Sequence, residues 1–353
     1  VFGVDLRVAR IAWTVALVAF ALYCVYTIRT TLLVMVFAVF FSYVVYPLFE
    51  FGERHLGRHL SRNAVLGLVF AVVLGLIILG GALFGSPVAD QAASLGQELP
   101  RLLDPDALAK RLPLPGFLEP FRARLVGLAR NLLHGSQAEA LPAARQIGAG
   151  LWYAASSVIY LVVIPILSFL MISQSPQFEQ FLAAQAGDPR GTLWVKLARD
   201  LNFLLSRYVR ALALLSLATL VTYGVVLSLF GAPFALLLAG VAAMLEVIPV
   251  FGPLAAGLAI VVVAAFNGFE HVWWLLAFVV AYRVVQDYVL NPWLMSEGVH
   301  VPPILVVFGL LAGNELAGVA GIFLSVPVLA AARIVIGRVR ADRAARSVDE
   351  PSA

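Results

Sequence analysis

Uncharged apolar stretches recur along the chain at lengths that suit a lipid bilayer. Ile11–Ile28, Thr31–Phe49 and Ala64–Phe84 carry no charge, and about 20 residues of helix cross a hydrocarbon layer of about 30 Å. Gly150–Ile172 predicts a fourth span with a kink at Pro165, and Ala211–Phe230 a fifth, ended by Gly231-Ala232-Pro233. Phe234–Phe269 is too long for one ordinary crossing and is broken by Ile248-Pro249-Val250-Phe251-Gly252-Pro253. Val272–Leu290 is a seventh segment, and Pro303–Ile336 an eighth, interrupted at Gly313-Asn314-Glu315. The pattern predicts an all-α polytopic membrane protein of about eight segments, the sixth and eighth discontinuous.

The polar stretches divide the remainder. Residues 1–84 hold the first three spans and 150–172 the fourth. Between them, 85–149 contains Pro87, Pro100, Pro105, Pro113, Pro115, Pro120 and Pro142, which predicts short helices in a small extracytoplasmic insertion. In 173–210, Leu193, Trp194, Leu197, Leu201, Leu204, Leu205 and Tyr208 share one helical face, with Lys196, Arg199, Arg207 and Arg210 largely off it. That predicts an amphipathic cytoplasmic helix lying in the membrane interface. Residues 211–340 form a distal membrane domain with broken helices, and 341–353 a disordered tail.

Composition narrows the function classes. Hydrophobic residues make up 62% of the chain and charged ones 12%, with a mean hydropathy of +0.96, as a lipid-embedded chain requires. The net charge of +4 sits at the ends of apolar segments and not on an aromatic-interleaved stripe, which argues against nucleic acid. Arg7 and Arg10, Arg54, Arg58 and Arg62, and Arg338, Arg340, Arg343 and Arg346 predict both termini on the cytoplasmic side. The first apolar run reads as an anchor because a second follows at once. Cys24 is the one cysteine, so no internal disulfide or cysteine metal site can form. His55 and His59 lack the glutamate of a zinc-protease helix, and neither a nucleophile elbow nor a phosphate-binding Gly-Lys-Ser/Thr loop is present. No enzyme, metal or cofactor is expected, and transport energy would come from a gradient or downhill flow.

Four charged residues fall inside predicted membrane segments: Glu246, Arg283, Asp287 and Glu315. Such groups are costly at bilayer depth and mark pathways or structural clamps. Pro249 and Pro253 lack N–H groups and bracket Gly252, so the helix must open and leave carbonyls unpaired, as transporters do at binding sites. Glu246, one turn earlier, is either a carboxyl locking the break or a group that meets transported ions. Arg283 and Asp287 are spaced i, i+4 and can neutralise each other, either as a structural pair or with Arg283 tuning a working Asp287. Asn314 and Glu315 are either the tip of a re-entrant hairpin or an exposed turn.

Several motifs carry a resemblance. Glu246-Val247-Ile248-Pro249-Val250-Phe251-Gly252-Pro253, Gln286-Asp287-Tyr288-Val289-Leu290-Asn291-Pro292 and the closing stretch Pro303–Gly313, Gly318–Gly321 and Val326-Pro327 resemble the autoinducer-2 exporter family of bacterial membrane proteins. The resemblance runs with good specificity from about Arg207 to Arg340 and weakly through the first four spans. It implies residence in the inner membrane, lipid as the surrounding partner and homo-oligomeric, pentameric assembly. It also implies efflux of a small polar solute such as a quorum-sensing furanone, or alternatively sodium/proton antiport. The implied pathway takes in Gln286 and Asn291 beside the residues above. Arg283 and Asp287 stand where the family pattern often has uncharged or differently charged residues. A different class also remains: a non-transporting scaffold whose buried charges are structural.

Overall fold

The computed structural model describes residues 6–102, 158–185, 189–248, 251–294 and 302–349, and the regular elements among them are all helical. They are α1 (Leu6–Thr27), α2 (Arg29–Leu56), α3 (Arg62–Leu102), α4 (Val158–Gln185), α5 (Pro189–Leu229), α6 (Ala235–Leu245), α7 (Phe251–Phe266), α8 (Val272–Val285), a π-helical turn Gln286–Leu290, α9 (Asn291–Leu294) and α10 (Pro303–Asp349). Among the described residues, six stretches are long and apolar enough to cross a membrane: Arg29–Leu56, Arg62–Glu98, Tyr160–Phe178, Trp194–Leu229, Val272–Leu294 and Ala320–Arg338. Four shorter apolar helices accompany them, two of which are α6 and α7.

Long helices replace several expected boundaries. No Gly or Pro stands near Ile28, and the bonds from Ile28 N to Cys24 O and from Leu32 N to Ile28 O carry the ladder across the junction. α1 therefore runs into α2 without reversing. α3 does not end at Phe84; it continues through Pro87 and Pro100 to Leu102. The expected helices of the insertion lie mostly in 103–157, outside the described residues. The fifth span and the expected interfacial helix are one 41-residue helix, α5. Nothing near residues 210–211 can break it, and at about 60 Å it projects out of a 30 Å layer instead of lying along it. α10 runs on to Asp349, so the expected disordered tail from 341 is helical over most of its length, as its Ala- and Arg-rich sequence favours.

Two packed cores order the helices. Val45, Phe49, Val65, Leu66, Phe70 and Ile172 join α2, α3 and α4. There Gly52 lies against Val65 and Val69, and Arg62 reaches Ile172 O and Ser175 Oγ. A second core, centred on Leu227, Leu238, Ala242, Ile260 and Leu275, joins α5 to α6, α7 and α8.

The ends of the elements sort to two faces. Arg62 meets Ser175, Asn202 meets Tyr43, and Arg338 pairs with Asp200 at 2.5 Å, so the ends bearing Arg54–Arg62 and Arg338 share one face. On the opposite face, Gly231 and Pro233, at the start of α6, line one depression with Asn267–His271, at the end of α7. α6 and α7 thus form a hairpin that enters and leaves on that face. With 11 and 16 residues, neither leg spans a bilayer. The sixth segment is broken as expected, but it turns back and does not cross.

The eighth segment is also a hairpin. Within α10 the backbone leaves helical geometry at Ala317 and at Gly318, where φ is +57°. Gly313 then lies against Gly321 backbone to backbone, and Gly309 against Leu329. Phe323 stacks on Phe37 and meets Phe40 edge-on, at 5.5 and 5.3 Å, which fixes this hairpin against α2.

Candidate functional site

The tip of the α6–α7 hairpin carries the buried carboxylate. Gly231 and Phe234, both at positive φ, and Pro233 end α5 and redirect the chain into α6. The Ala-rich faces of α6 and α7 then pack closely, with Ala239, Ala242, Ala256 and Gly257 buried. After Leu245 the helix opens. Gly252 approaches the Leu245 carbonyl so closely that any Cβ would collide with it. Pro249 lies outside the described residues; Gly252 and Pro253 start α7.

Helix rise gives the depth of this tip. Thr219 is about 15 Å along α5 from its end at Leu229, and Tyr282 and Gln286 are about 15–20 Å along α8 and its π turn from Val272. Glu246 bonds Thr219 and Gln286, and Tyr282 bonds Thr219, so Glu246 lies near the middle of a layer about 30 Å thick.

The contacts form one continuous polar chain. Gln286 Nε2 donates to Glu246 Oε1 at 2.6 Å, and Thr219 Oγ1 donates to Glu246 Oε2 at 3.2 Å. Tyr282 Oη lies 3.0 Å from Thr219 Oγ1, and supplies a proton to that bond when the threonine's own is directed to Glu246. On the other side, Arg283 Nη1 donates to Gln286 Oε1 at 3.5 Å, and Arg283 Nη2 pairs with Asp287 Oδ1 at 2.8 Å. Asn291 Nδ2 donates to the same Asp287 oxygen at 3.2 Å. Glu246 is 8% exposed and Gln286 1%, whereas the Arg283 and Asp287 side chains are 25% and 36% exposed. Burial falls on the neutral donors and the carboxylate; the ion pair sits at the opening.

The π turn follows from Pro292. That residue has no N–H for the Tyr288 carbonyl, and its ring would crowd it. Widening the turn so that Asn291 N reaches Gln286 O relieves the clash. Such single π turns gather at functional positions.

A pocket of about 280 Å³ opens beside the chain, between α7 and α8. Thr219, Glu246, Tyr282, Arg283 and Gln286 form its polar floor, and Pro253 lies in its wall. Of the expected pathway residues, Glu246, Pro253, Arg283 and Gln286 therefore line one cavity. Asp287 and Asn291 join it through Arg283, and Gly252 shapes the hairpin tip. Asn314 and Glu315 do not join them. Both are exposed near the tip of the second hairpin, where Leu316, Ala317 and Gly318 line a separate depression with Arg29 and Thr30. The sequence reading passed over Thr219, Tyr223 and Tyr282. Hydroxyls inside apolar spans, with Thr219 and Tyr223 one turn apart on α5, were the available signal.

With the site described, comparison with known proteins places it among relatives. Residues 15–341 match the family described as AI-2E family transporter. Three relatives are named as candidate transport proteins. YrrI of Bacillus subtilis (strain 168) is 27% identical over 49% of this chain and 49% of its own length. MT0215 of Mycobacterium tuberculosis (strain CDC 1551 / Oshkosh) is 34% identical over 35% of this chain and 34% of its own. YueF of Bacillus subtilis (strain 168) is 20% identical over 81% of this chain and 79% of its own. The chain thus spans about half the length of YrrI and about a third of MT0215 in these matches.

Proposed function

The chain belongs to the AI-2E transporter family, and from that premise we propose that it exports a small polar solute by a gradient-driven or facilitated route. The substrate docks at Glu246. One observation carries this reading: a mid-bilayer carboxylate, held by donors from α5 and the π turn, lies open to a pocket of about 280 Å³. Intramembrane carboxylates facing a cavity beside broken helices are where transporters bind polar cargo. A furanone-like signal, as the family resemblance implies, carries the hydroxyl donors that a carboxylate accepts.

The contact chain from Glu246 through Gln286 to Arg283 and Asp287 supports a second reading, monovalent cation/proton antiport. Two carboxylates bridged by a guanidinium and an amide can exchange a proton for a cation. We also propose that the face carrying Arg54–Arg62 and Arg338 is the cytoplasmic face of a bacterial inner membrane, and that the chain works as a homo-oligomer.

Flux into proteoliposomes tests the reading. Wild type is expected to move a labelled furanone down its gradient, with Glu246→Gln reducing flux at least tenfold. A response to an imposed pH or sodium gradient with no solute flux would select antiport. Flux of neither kind in correctly inserted protein would leave only the scaffold.

A further inference from the structure

The pocket's wall and floor differ in chemistry, and that difference constrains its ligand. Leu254 and Leu258 on α7 and Val280 and Val284 on α8 form part of its wall and are at least half exposed on the outer surface of the bundle. Between the two end faces that surface meets acyl chains wherever no second copy covers it, so the pocket opens sideways and not along the membrane normal. Gly257 lets the two helices approach: a Cβ there would meet Val279 Cγ1 at 2.8 Å. At about 280 Å³ the space is at the lower end of small-molecule sites, which run about 300–1,000 Å³.

The floor carries an unbalanced charge. Arg283 is committed to Asp287 at 2.8 Å and reaches Glu246 only through the neutral amide of Gln286. Both oxygens of Glu246 receive neutral donors, the arrangement that suits an ionised carboxylate. A carboxylate accepts about four hydrogen bonds, and two are used here. With Glu246 ionised, the trio Glu246, Arg283 and Asp287 sums to one negative charge at the end of an apolar wall. A buried charge at this depth is costly unless a proton or a counter-charge neutralises it, and a bound cation does so while leaving the carboxylate's acceptors in use.

We infer that this pocket takes a small amphipathic monocation, an alkyl- or arylalkylammonium. Its ammonium binds Glu246, and its apolar body lies between α7 and α8 after entering from the bilayer. The inference rests on the reading of Glu246 as the substrate site, and it makes the solute there a cation in place of a neutral furanone. A primary ammonium supplies three donors for the free lone pairs of Glu246 and for the Tyr282 and Thr219 oxygens, with no cost for moving Arg283.

Binding and flux must be read separately. The full chain in lipid nanodiscs is titrated by calorimetry at pH 7 with 2-phenylethylamine and with its neutral counterpart, 2-phenylethanol. The amine is expected to bind saturably, one per chain, and about tenfold more tightly than the alcohol, the usual margin of a charge-assisted bond. Glu246→Gln should erase that margin. Val280→Trp, which fills the pocket from the lipid side without touching the floor, should weaken both ligands at least tenfold. If Glu246→Gln does not fold, the wild-type margin and the Val280→Trp loss still decide. Equal affinity for amine and alcohol, affinity untouched by Val280→Trp, or a tightly retained lipid that the amine does not displace would each overturn the inference. Amine binding without flux in proteoliposomes would leave this site standing and remove the transport reading. Glu246-dependent flux of a furanone without amine binding would do the reverse.

Discussion

Glu246 and Gln286, forty residues apart in the chain, meet at 2.6 Å where the tip of the α6–α7 hairpin touches the π turn after α8. Gln286 uses both ends of its amide: Nε2 holds the carboxylate, and Oε1 accepts from Arg283. It is the link between a buried carboxylate and a half-exposed ion pair. Gln286→Leu keeps the bulk and removes both contacts. The variant should lose about 1–3 kcal/mol, the usual cost of leaving a buried polar partner unsatisfied. Thermal unfolding in detergent checks this, and Glu246→Gln combined with Gln286→Leu should recover part of the loss. Unchanged stability in Gln286→Leu would mean that the amide does not support Glu246.

The Arg283–Asp287 pair makes a different prediction. Asn291 also donates to Asp287 but carries no charge, so removing Arg283 leaves two carboxylates in the cluster without their cation, whereas neutralising Asp287 leaves Arg283 balanced by Glu246 through Gln286. Arg283→Gln should therefore reduce folded yield more than Asp287→Asn. Each cost stays below that of a fully buried pair, because both side chains are partly exposed. The double neutral variant should regain the yield. If it also regains flux, the pair is structural; if it folds and does not transport, Asp287 takes part in moving the cargo. Fluorescence size-exclusion yield and proteoliposome flux on the same three variants separate these outcomes.

Much of this was legible in the chain, and the misses share a cause. The interruption expected at Gly313-Asn314-Glu315 falls a few residues later, at Ala317 and Gly318. The breaks at Gly231–Pro233 and Ile248–Pro253 could be read because Gly and Pro act locally on the backbone. So could Glu246 and Arg283, whose charge is costly wherever lipid surrounds them. The direction of the chain after a break was not legible. Turning back instead of crossing is decided by packing, such as Ala242 and Ala256 in one core and Gly313 on Gly321. Hydropathy averages do not carry that information. Pro87 and Pro100 misled for the opposite reason: one proline does not end a helix whose neighbours sustain it, and α3 passes both. Thr219 was missed because one hydroxyl barely alters an apolar span, although it becomes decisive 3.2 Å from a carboxylate.

The hairpin reading of the sixth segment predicts which residues share a face. In a Cys24→Ser background, single cysteines at Ser228 and Asn267, both exposed, should react with an impermeant maleimide from the same side. Cysteines at Arg58 and Arg338, exposed at the opposite ends, should react only from the other side. If the sixth segment crossed the membrane, Ser228 and Asn267 would label from opposite sides. Labelling of intact cells before and after permeabilisation distinguishes the two patterns.

The second hairpin yields the most severe single-residue prediction, because there backbone meets backbone. A Cβ on Gly313 would strike the Gly321 carbonyl, and one on Gly321 would strike the Gly313 carbonyl. No rotamer relieves such a clash, so the two legs must separate. Separation also moves Phe323 away from Phe37 and Phe40. Gly313→Ala and Gly321→Ala should each cost about 1–3 kcal/mol, the usual range for overpacking, or more. Gly318→Ala should cost about 1–3 kcal/mol from backbone strain, because φ +57° with ψ −137° is a conformation nearly confined to glycine, although nothing lies near the Cβ position there. All three variants should therefore unfold below the wild-type temperature. The carboxylate site is a separate cluster of α5–α8, so ligand affinity at Glu246 should survive in whatever fraction of Gly318→Ala remains folded. Wild-type stability in Gly313→Ala would show that the two legs do not pack in this register, and the antiparallel hairpin would have to be abandoned.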